Sequence, residues 1–446
     1  MSKSEEIKTT FEIEPILVIH WDGKLLPDIS GKPEIVDRLP IYVSGNGVNK
    51  LLGVPKLPNG TGEATANAVK KAVDDWKLAS RIRAACFDTT ASNTGKHSGC
   101  HMLEQLLQKS LLYLPCRHHI QEIVIGAVFD KCLGCSTGPD VKLFVRFKNN
   151  WSFIDVDKYQ TAYDDAETAS ILSEHQTVVD EVVTFVRTSL EAKHPRDDYR
   201  ELLELVLIFL GVQPDRGVRF RQPGAHHRAK WMAKIIYSLK IWMFQQQFHL
   251  TRREAVGLCD VNIFVVLVYV KAWFTATNAV SAPTNNLQLL KTLDSYSLVN
   301  SRISDTACNK FLNHLWYVGE ELIGLSFFAD DGDVSIATKR QLTAELLKPA
   351  STTTSTDVSL KRAQLLQKDI QSCQLTDLVT ANTRNFFEYF EIPQDFLNND
   401  PVKWNEHEDF IRSKNFLLNL TVVNDLAERG VALIEQYNSI LTKDED

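Results

Sequence analysis

The stretch that decides the fold is residues 16–23, ILVIHWDG, where an apolar, β-branched run ends at an aspartate and a glycine. Such a run predicts a buried strand followed by a turn. Residues 82–88, IRAACFD, end in the same way, so Asp22 and Asp88 each close a predicted strand. If these strands are neighbours, both carboxylates emerge at one edge of a sheet, where open α/β sheets place ligand sites.

The segments around these two strands predict a mixed sheet. Residues 24–29 are predicted as the hairpin partner of the first strand, with Asp22 and Gly23 as a two-residue turn. Residues 38–44 are a third strand that stops at Gly45, and a loop rich in Gly and Pro follows to residue 62. Helices over 64–80, 97–109 and 118–129 alternate with strands over 82–87 and 111–114. This order predicts an α/β domain with a mixed sheet, and it is the order of RNase H-like nuclease domains.

The strand signal disappears between about residues 140 and 391. Five segments there have helical periodicity: 181–190, 198–210, 229–248, 253–274 and 304–322. The polar stretch 351–356, STTTST, is typical of an exposed linker, and 416–440 is predicted as one last helix. We therefore expect an RNase H-like core in residues 1–138, an all-helical insertion domain in 139–390, and a C-terminal helix in 391–446 that completes the core.

Composition sets limits on location and partners. The chain has 446 residues, and no apolar run reaches the roughly 18–20 residues of a membrane span. Its start lacks an apolar leader and its eight cysteines are scattered, so we expect a reducing compartment and no membrane partner. The net charge of −7 is unusual for a nucleic-acid enzyme, so a local basic cluster would have to contact phosphates. The best cluster is Arg216, Arg219, Arg221, His226, His227, Arg228, Lys230 and Lys234.

The paired aspartates indicate a divalent metal site. Hard carboxylate oxygens close together suit Mg²⁺ or Mn²⁺, and two such ions can assist an in-line phosphoryl displacement. Glu428 in the last helix is the predicted third ligand, with Glu391 and Glu435 as the candidates if it points away. The alternative is that each aspartate is an ordinary turn residue or helix cap, and that Glu428 is solvated.

Three short motifs resemble those of one enzyme group. Residues 85–95, ACFDTTASNTG, resemble the second-aspartate strand and turn of eukaryotic DDE transposases of the hAT type. Residues 114–119, LPCRHH, resemble the Cys-x-x-His signature shared by the hAT, Mutator-like, P-element and Kolobok groups. Residues 424–430, NDLAERG, are similar to the stretch that holds the catalytic glutamate of those families. The resemblance extends over residues 16–438, and the helical block lies where those families insert a domain.

The resemblance implies a function and assigns roles to further residues. It implies a metal-dependent transposase that cleaves DNA and transfers strands with Asp22, Asp88 and Glu428. Cys116 and His119 bracket the end of the last predicted strand and the first turn of the next helix. Their position favours a structural role, in which His119 holds the active-site loop or contacts the scissile phosphate, and a metal role is the alternative, although two ligands do not make a closed zinc site. The DNA-binding set would be Arg219, Arg221, Arg228, Lys230 and Trp231, and Trp231 would stack on an extruded base or lie in the helix core. DNA as substrate, a homo-oligomer and a nuclear location are expected with it.

Two other functions stay open. The chain has no zinc-finger pattern before the first strand, and Cys132 and Cys135 form a lone Cys-x-x-Cys without a second pair. A truncated or domesticated element would account for this, as would a catalytically inactive descendant that binds DNA or protein. An RNase H-like nuclease unrelated to transposition is the third reading, and the long insertion before Glu428 argues against it.

Overall fold

A five-stranded mixed sheet holds both predicted strand ends. The computed structural model describes residues 8, 11, 14–27, 34–95, 99–135, 140–194, 196–224, 231–348 and 369–424. The strands are β1 Leu17–Trp21, β2 Lys24–Pro27, β3 Ile35–Arg38, β4 Ile41–Gly45, β5 Val48–Gly53, β6 Ile82–Cys86 and β7 Leu112–Tyr113. The order in the sheet is β5-β4-β1-β6-β7, with β1 antiparallel to β4 and parallel to β6. The α/β mixed sheet, and the neighbouring positions of β1 and β6, were predicted correctly.

The predicted hairpin between β1 and residues 24–29 is wrong. Strand β2 pairs with β3 in a separate two-stranded sheet, while β1 pairs with β4. Both edges of β1 are occupied, and the Asp22 N–H still donates to Pro40 O at 3.4 Å, so no edge is left for β2. The meander is completed by β5, in the segment predicted as a loop. Asn46 and Gly47, with φ of 48° and 80°, make the tight turn between β4 and β5.

The helices α1 Gly62–Asp75, α2 Ala91–Thr94 and α3 Cys100–Leu107 come from the same part of the chain. Alternate residues of β1 (Leu17, Ile19 and Trp21) join a core that includes Val69 of α1 and Leu103 of α3. The residues between them on β1 point to the other face and are also buried. A strand buried on both faces needs a continuous apolar run, which is the pattern of residues 16–21.

All remaining elements of the described chain are helices. The α-helices among them are α4 Arg117–Leu133, α5 Lys142–Asn150, α6 Ala166–Glu174, α7 Gln176–Glu191, α8 Asp197–Phe209, α9 Trp231–Met243, α10 Arg252–Phe264, α11 Val270–Phe274, α12 Ala282–Ser295, α13 Ser297–Phe311, α14 Ile336–Leu346, α15 Arg384–Tyr389 and α16 Glu408–Leu418. Within the described parts of 142–391 no residue belongs to a strand, as predicted. The helix predicted over 304–322 ends at Phe311, and short 3-10 turns follow it.

The chain groups into two compact units. The first contains 1–120, 276–287 and 314–446, and therefore the sheet. The second contains 121–275 and 288–313, and every element that the structure describes there is a helix. The predicted domain boundaries at residues 138 and 390 stay a prediction.

The predicted helix 416–440 is interrupted within its described residues, 416–424. Helix α16 ends at Leu418, and residues 420–424 are not helical. Val422 and Asn424 are buried there. The cause is a tertiary contact: the Asn424 side chain binds Trp21 of β1 and its backbone N–H binds Cys116. The β-branched residues that precede Asn424 also favour an extended chain.

One continuous helical stretch, Arg252–Thr277, is long and apolar enough to cross a membrane by length and composition alone. Of its most apolar window, 67% is buried inside the protein, and the core helix of a soluble protein meets the same criteria. The expectation of no membrane partner stays a prediction.

Candidate active site

The two predicted aspartates lie at one edge of the sheet. Strands β1 and β6 run parallel, and His20 is in register with Cys86. Continued for two residues, this register sets Asp22 opposite Asp88, and neighbouring strands lie about 4.8 Å apart. Burial raises the pKa of the Cys86 thiol well above its usual value, and the charges of Cys116 and then Asp22 add to this effect.

The residues before the two aspartates join the strand ends. Trp21 stacks on Phe87 with ring centroids 5.2 Å apart. The Trp21 indole N–H donates to Asn93 Oδ1 at 3.0 Å, and Asn93 Nδ2 donates to Asp88 Oδ1 at 2.5 Å. This chain of contacts runs from the end of β1 to the carboxylate that follows β6. It fixes the position of Asp88 relative to β1.

Asp88 uses only one of its carboxylate oxygens in the turn. Its Oδ1 accepts the Thr90 N–H at 3.2 Å, the Thr90 hydroxyl at 2.6 Å and the Asn93 amide. Its Oδ2 accepts no hydrogen bond from any residue in the described ranges. Asp88 is thus a turn residue that still has one half-buried oxygen available for a ligand.

Asn424 is anchored at the same edge of the sheet, more than 300 positions away in the sequence. Three donors converge on its Oδ1, each at 3.3 Å: His20 Nδ1, the Tyr42 hydroxyl and the Cys86 thiol. All four side chains are buried. Buried polar groups need partners, and this set supplies them to one another.

The backbone around Asn424 is held as well. Asn424 Nδ2 donates to Trp21 O at 3.2 Å, and the Asn424 N–H donates to Cys116 Sγ at 3.3 Å. Two residues earlier, Val422 O accepts the Arg117 N–H at 3.0 Å. The segment that ends at Asn424 is therefore attached to the carbonyl of Trp21, the residue that precedes Asp22.

His20 is held in its neutral form at this edge. It is fully buried, and desolvation lowers its pKa from 6.5 to about 3. Because Asn424 Oδ1 only accepts, Nδ1 of His20 holds the proton, and Nε2 accepts from the Ser44 hydroxyl at 2.7 Å. Its ring stacks on Tyr42 at 4.3 Å. The imidazole is thus engaged in anchoring Asn424, and sequence reasoning missed it as a histidine inside an apolar strand.

The structure gives the predicted pair Cys116 and His119 different surroundings. The Cys116 thiol is buried and accepts the Asn424 N–H, while His119 is half-buried in the first turn of α4. Arg117 between them was not predicted to matter. Its buried guanidinium donates to Ala276 O and Asn278 O, both at 2.9 Å, so it fastens a loop of the same unit.

The third predicted ligand, Glu428, lies outside the described residues, as does Glu435. Glu391, the other fallback, accepts from Arg83 Nε at 2.9 Å. Arg83 lies near the start of β6, so this carboxylate is at the opposite end of the strand from Asp88. Within the described ranges, no three His, Cys, Asp or Glu side chains form a group that could hold a metal ion.

The basic cluster is described in part. Arg219 and Arg216 are exposed on an irregular segment, and neither forms an ion pair with a described residue. Arg221 is exposed and lies 3.2 Å from Asp197, while its carbonyl accepts from buried Lys240 at 2.8 Å. Outside the described part lie His226, His227, Arg228, Lys230 and the side chain of Trp231, although Trp231 begins α9.

No protein-family model matches this chain, and no curated protein matches it significantly.

Proposed function

We propose that this protein is a DDE-type DNA transposase-like enzyme with an RNase H-like core and a helical insertion. It would cleave DNA and transfer strands with Mg²⁺ or Mn²⁺ held by Asp22, Asp88 and Glu428. One observation carries the proposal: Asp22 and Asp88 follow neighbouring parallel strands, and Asn424 is bound to the carbonyl of Trp21 at that edge.

The position of Asn424 limits where Glu428 can lie. Four residues span at most about 14 Å even when fully extended. Asn424 contacts the residue before Asp22, so a link of four residues would allow Glu428 to reach both aspartates. A side chain from the far end of the sequence can therefore complete the set, as the resemblance implies.

The donor set suits a hard divalent cation. Carboxylate oxygens are the ligands that Mg²⁺ and Mn²⁺ prefer, and Asp88 Oδ2 receives no hydrogen bond from the described chain. The thiols and the imidazole nearby are buried and bonded to Asn424, so they are not available as soft ligands. Bound ions would neutralise charge that develops on the phosphate oxygens. The protein's own part is to fix the carboxylates, through Asn93 for Asp88 and through Pro40, the residue before β4, for the Asp22 backbone.

The arrangement of the chain also supports the proposal. A three-stranded antiparallel meander (β1, β4, β5) is followed by helix, parallel strand, helix, parallel strand and helix, the element order of RNase H-like domains. A helical segment separates the second aspartate from Glu428, where the resembled families insert a domain. DNA is then the substrate, and a nuclear location follows for an enzyme of a eukaryotic transposon type.

The test is nicking of supercoiled plasmid with Mg²⁺, with Mn²⁺ and with a chelator. We expect the wild type to nick with either metal and Asp88→Asn to be inactive. Asn keeps an oxygen that can accept from Thr90, so the turn is retained, but it removes the charge that binds the cation. Asp75→Asn, an exposed aspartate at the end of α1, is the matched control and should nick like the wild type.

Two outcomes would overturn the enzymatic proposal. Equal nicking by Asp88→Asn and the wild type would mean that Asp88 is only a turn residue. No nicking by either, together with no rise in melting temperature on adding Mg²⁺, would favour the catalytically inactive DNA- or protein-binding module.

A further inference from the structure

We propose that the helical unit contains a phosphate-binding cleft formed by the end of α4, the start of α10 and the kinked part of α13. The cleft has a volume of about 510 Å³. Four cationic side chains line it, together with one carboxylate, Asp260: they are Lys131, Arg252, Arg253 and Arg302. The cleft lies wholly within residues 121–275 and 288–313.

A glycine contact brings these cations together. A Cβ atom at Gly257 would lie 2.7 Å from Cys132 O, so only glycine lets α10 approach the last turn of α4 this closely. The approach sets Arg252 and Arg253, in the first turn of α10, beside Lys131. The cleft is therefore a product of helix packing within one unit.

The single carboxylate of the cleft is already engaged. Asp260 Oδ1 accepts from Asn300 Nδ2 at 3.0 Å, and Oδ2 lies 3.5 Å from an Arg302 guanidinium nitrogen. Asn300 lies at a kink in α13, with φ of −154° and ψ of 98°. The contact between α10 and α13 thus neutralises Asp260 internally.

The other three cations remain available. Lys131, Arg252 and Arg253 are exposed, and none of them forms an ion pair with any residue that the structure describes. Like charges repel, so an anion that binds between these three side chains relieves their mutual repulsion. Their arrangement favours binding of a multiply charged anion.

The chemistry of the cleft points to phosphate. Arginine presents a planar fork that binds phosphate oxygens in pairs, and lysine adds a point charge. Val256, 52% exposed, lies among the cations and offers apolar surface to an attached sugar or base. The ligand class is therefore a nucleotide phosphate, either in a nucleic-acid strand or free. This inference does not depend on the proposed catalytic activity, because binding is measured without cleavage.

The experiment compares the full-length wild type with the double variant Arg252→Glu, Arg253→Glu. The probes are a labelled DNA duplex, ATP and inorganic pyrophosphate, all without divalent metal. We expect at least one probe to bind about ten-fold more weakly to the variant at low salt. For DNA, the slope of log K against log salt should fall by about 1.8, because each phosphate contact contributes about 0.9.

The control changes the same total charge in the same unit. Arg187 and Lys193 are exposed and do not line the cleft, so Arg187→Glu, Lys193→Glu should leave binding nearly unchanged. A loss confined to DNA identifies strand phosphates, and a loss for ATP or pyrophosphate identifies a free nucleotide or phosphate. If no probe is weakened more than in the control, the cleft is ordinary surface. Arg252→Gln, Arg253→Gln replaces the first variant if the latter does not fold. Nicking by the wild type is scored separately, so the two proposals can fail independently.

Discussion

The burial of neutral His20 makes the stability of the folded protein depend on pH. Its pKa in the folded protein is about 3, against 6.5 for an exposed histidine, because burial disfavours the charged form. The unfolded chain therefore binds more protons between these values, and stability is lost as the pH falls below 6.5. We expect the free energy of unfolding, measured with urea, to be lower at pH 5 than at pH 7.5. In His20→Asn this difference should be smaller; an unchanged difference would assign the acid sensitivity to other groups.

Substitution of Asn424 tests whether its hydrogen bonds hold this part of the chain against the sheet. Asn424→Ala removes the acceptor for His20, Tyr42 and Cys86 and the donor to Trp21 O. Leaving buried polar groups without partners should cost about 2–3 kcal/mol. We expect this loss in urea unfolding and, if the chain is active, a large fall in nicking.

The control for that variant is Asn419→Ala, an exposed asparagine five positions earlier whose amide bonds only Asn415 O within its own helix end. It should change stability by less than about 0.5 kcal/mol. Equal effects of the two changes would mean that the hydrogen bonds around Asn424 do not anchor the chain.

At the level of elements, the turn after β6 depends on Gly99. This residue has φ of 57° and ψ of −119°, and a Cβ there would collide with the backbone of Ser92 and Asn93. Asn93 in turn holds Asp88 and Trp21. We expect Gly99→Ala to lower stability by about 2–4 kcal/mol and to weaken Mg²⁺-dependent stabilisation.

Gly332→Ala, where the added carbon meets nothing within 4 Å, is the control for the melting-temperature measurements. Equal shifts in melting temperature for the two variants would contradict the packing argument.

The sequence predicted some elements and not others, for physical reasons. β1 and β6 were recognisable because strands buried on both faces need continuous apolar runs. The partner of β1 was misassigned, since apolar periodicity identifies a strand but not its neighbour, and Asp22-Gly23 has the composition of a hairpin turn without being one. The helix predicted across residues 419–424 failed because a tertiary contact, Asn424 with the sheet, overrides local helical spacing.

In the candidate site, too, some residues were predictable from the sequence and others were not. Asp22 and Asp88 were accessible to sequence reasoning because each closes a recognisable strand. The roles of His20, Tyr42 and Cys86 were not accessible, because each depends on a contact with Asn424 that spans more than 300 residues. No spacing rule within one segment reports such a contact.

On the scale of the whole molecule, an acidic chain holds local concentrations of positive charge. The net charge is −7, yet Arg216 and Arg219 are exposed without an acidic partner among the described residues. The segment that holds them is fixed next to Arg219, where Phe220 packs on Phe244 with ring centroids 4.7 Å apart. Two arginines on an anchored segment bind phosphate with less loss of freedom than the same residues on a loose loop.

This predicts a defined contribution to DNA binding. In Arg216→Glu, Arg219→Glu, affinity for duplex DNA should fall for every sequence alike, and the slope of log K against log salt should decrease by about 1.8. Arg221 is not substituted in this variant. It already forms an ion pair with Asp197 at 3.2 Å, which partly neutralises its charge toward a phosphate. Fluorescence anisotropy over a range of salt concentrations measures both quantities, with Arg187→Glu, Lys193→Glu as the charge-matched control. If the salt slope of the variant equals that of the wild type, these arginines do not contact the DNA backbone and are ordinary solvated surface.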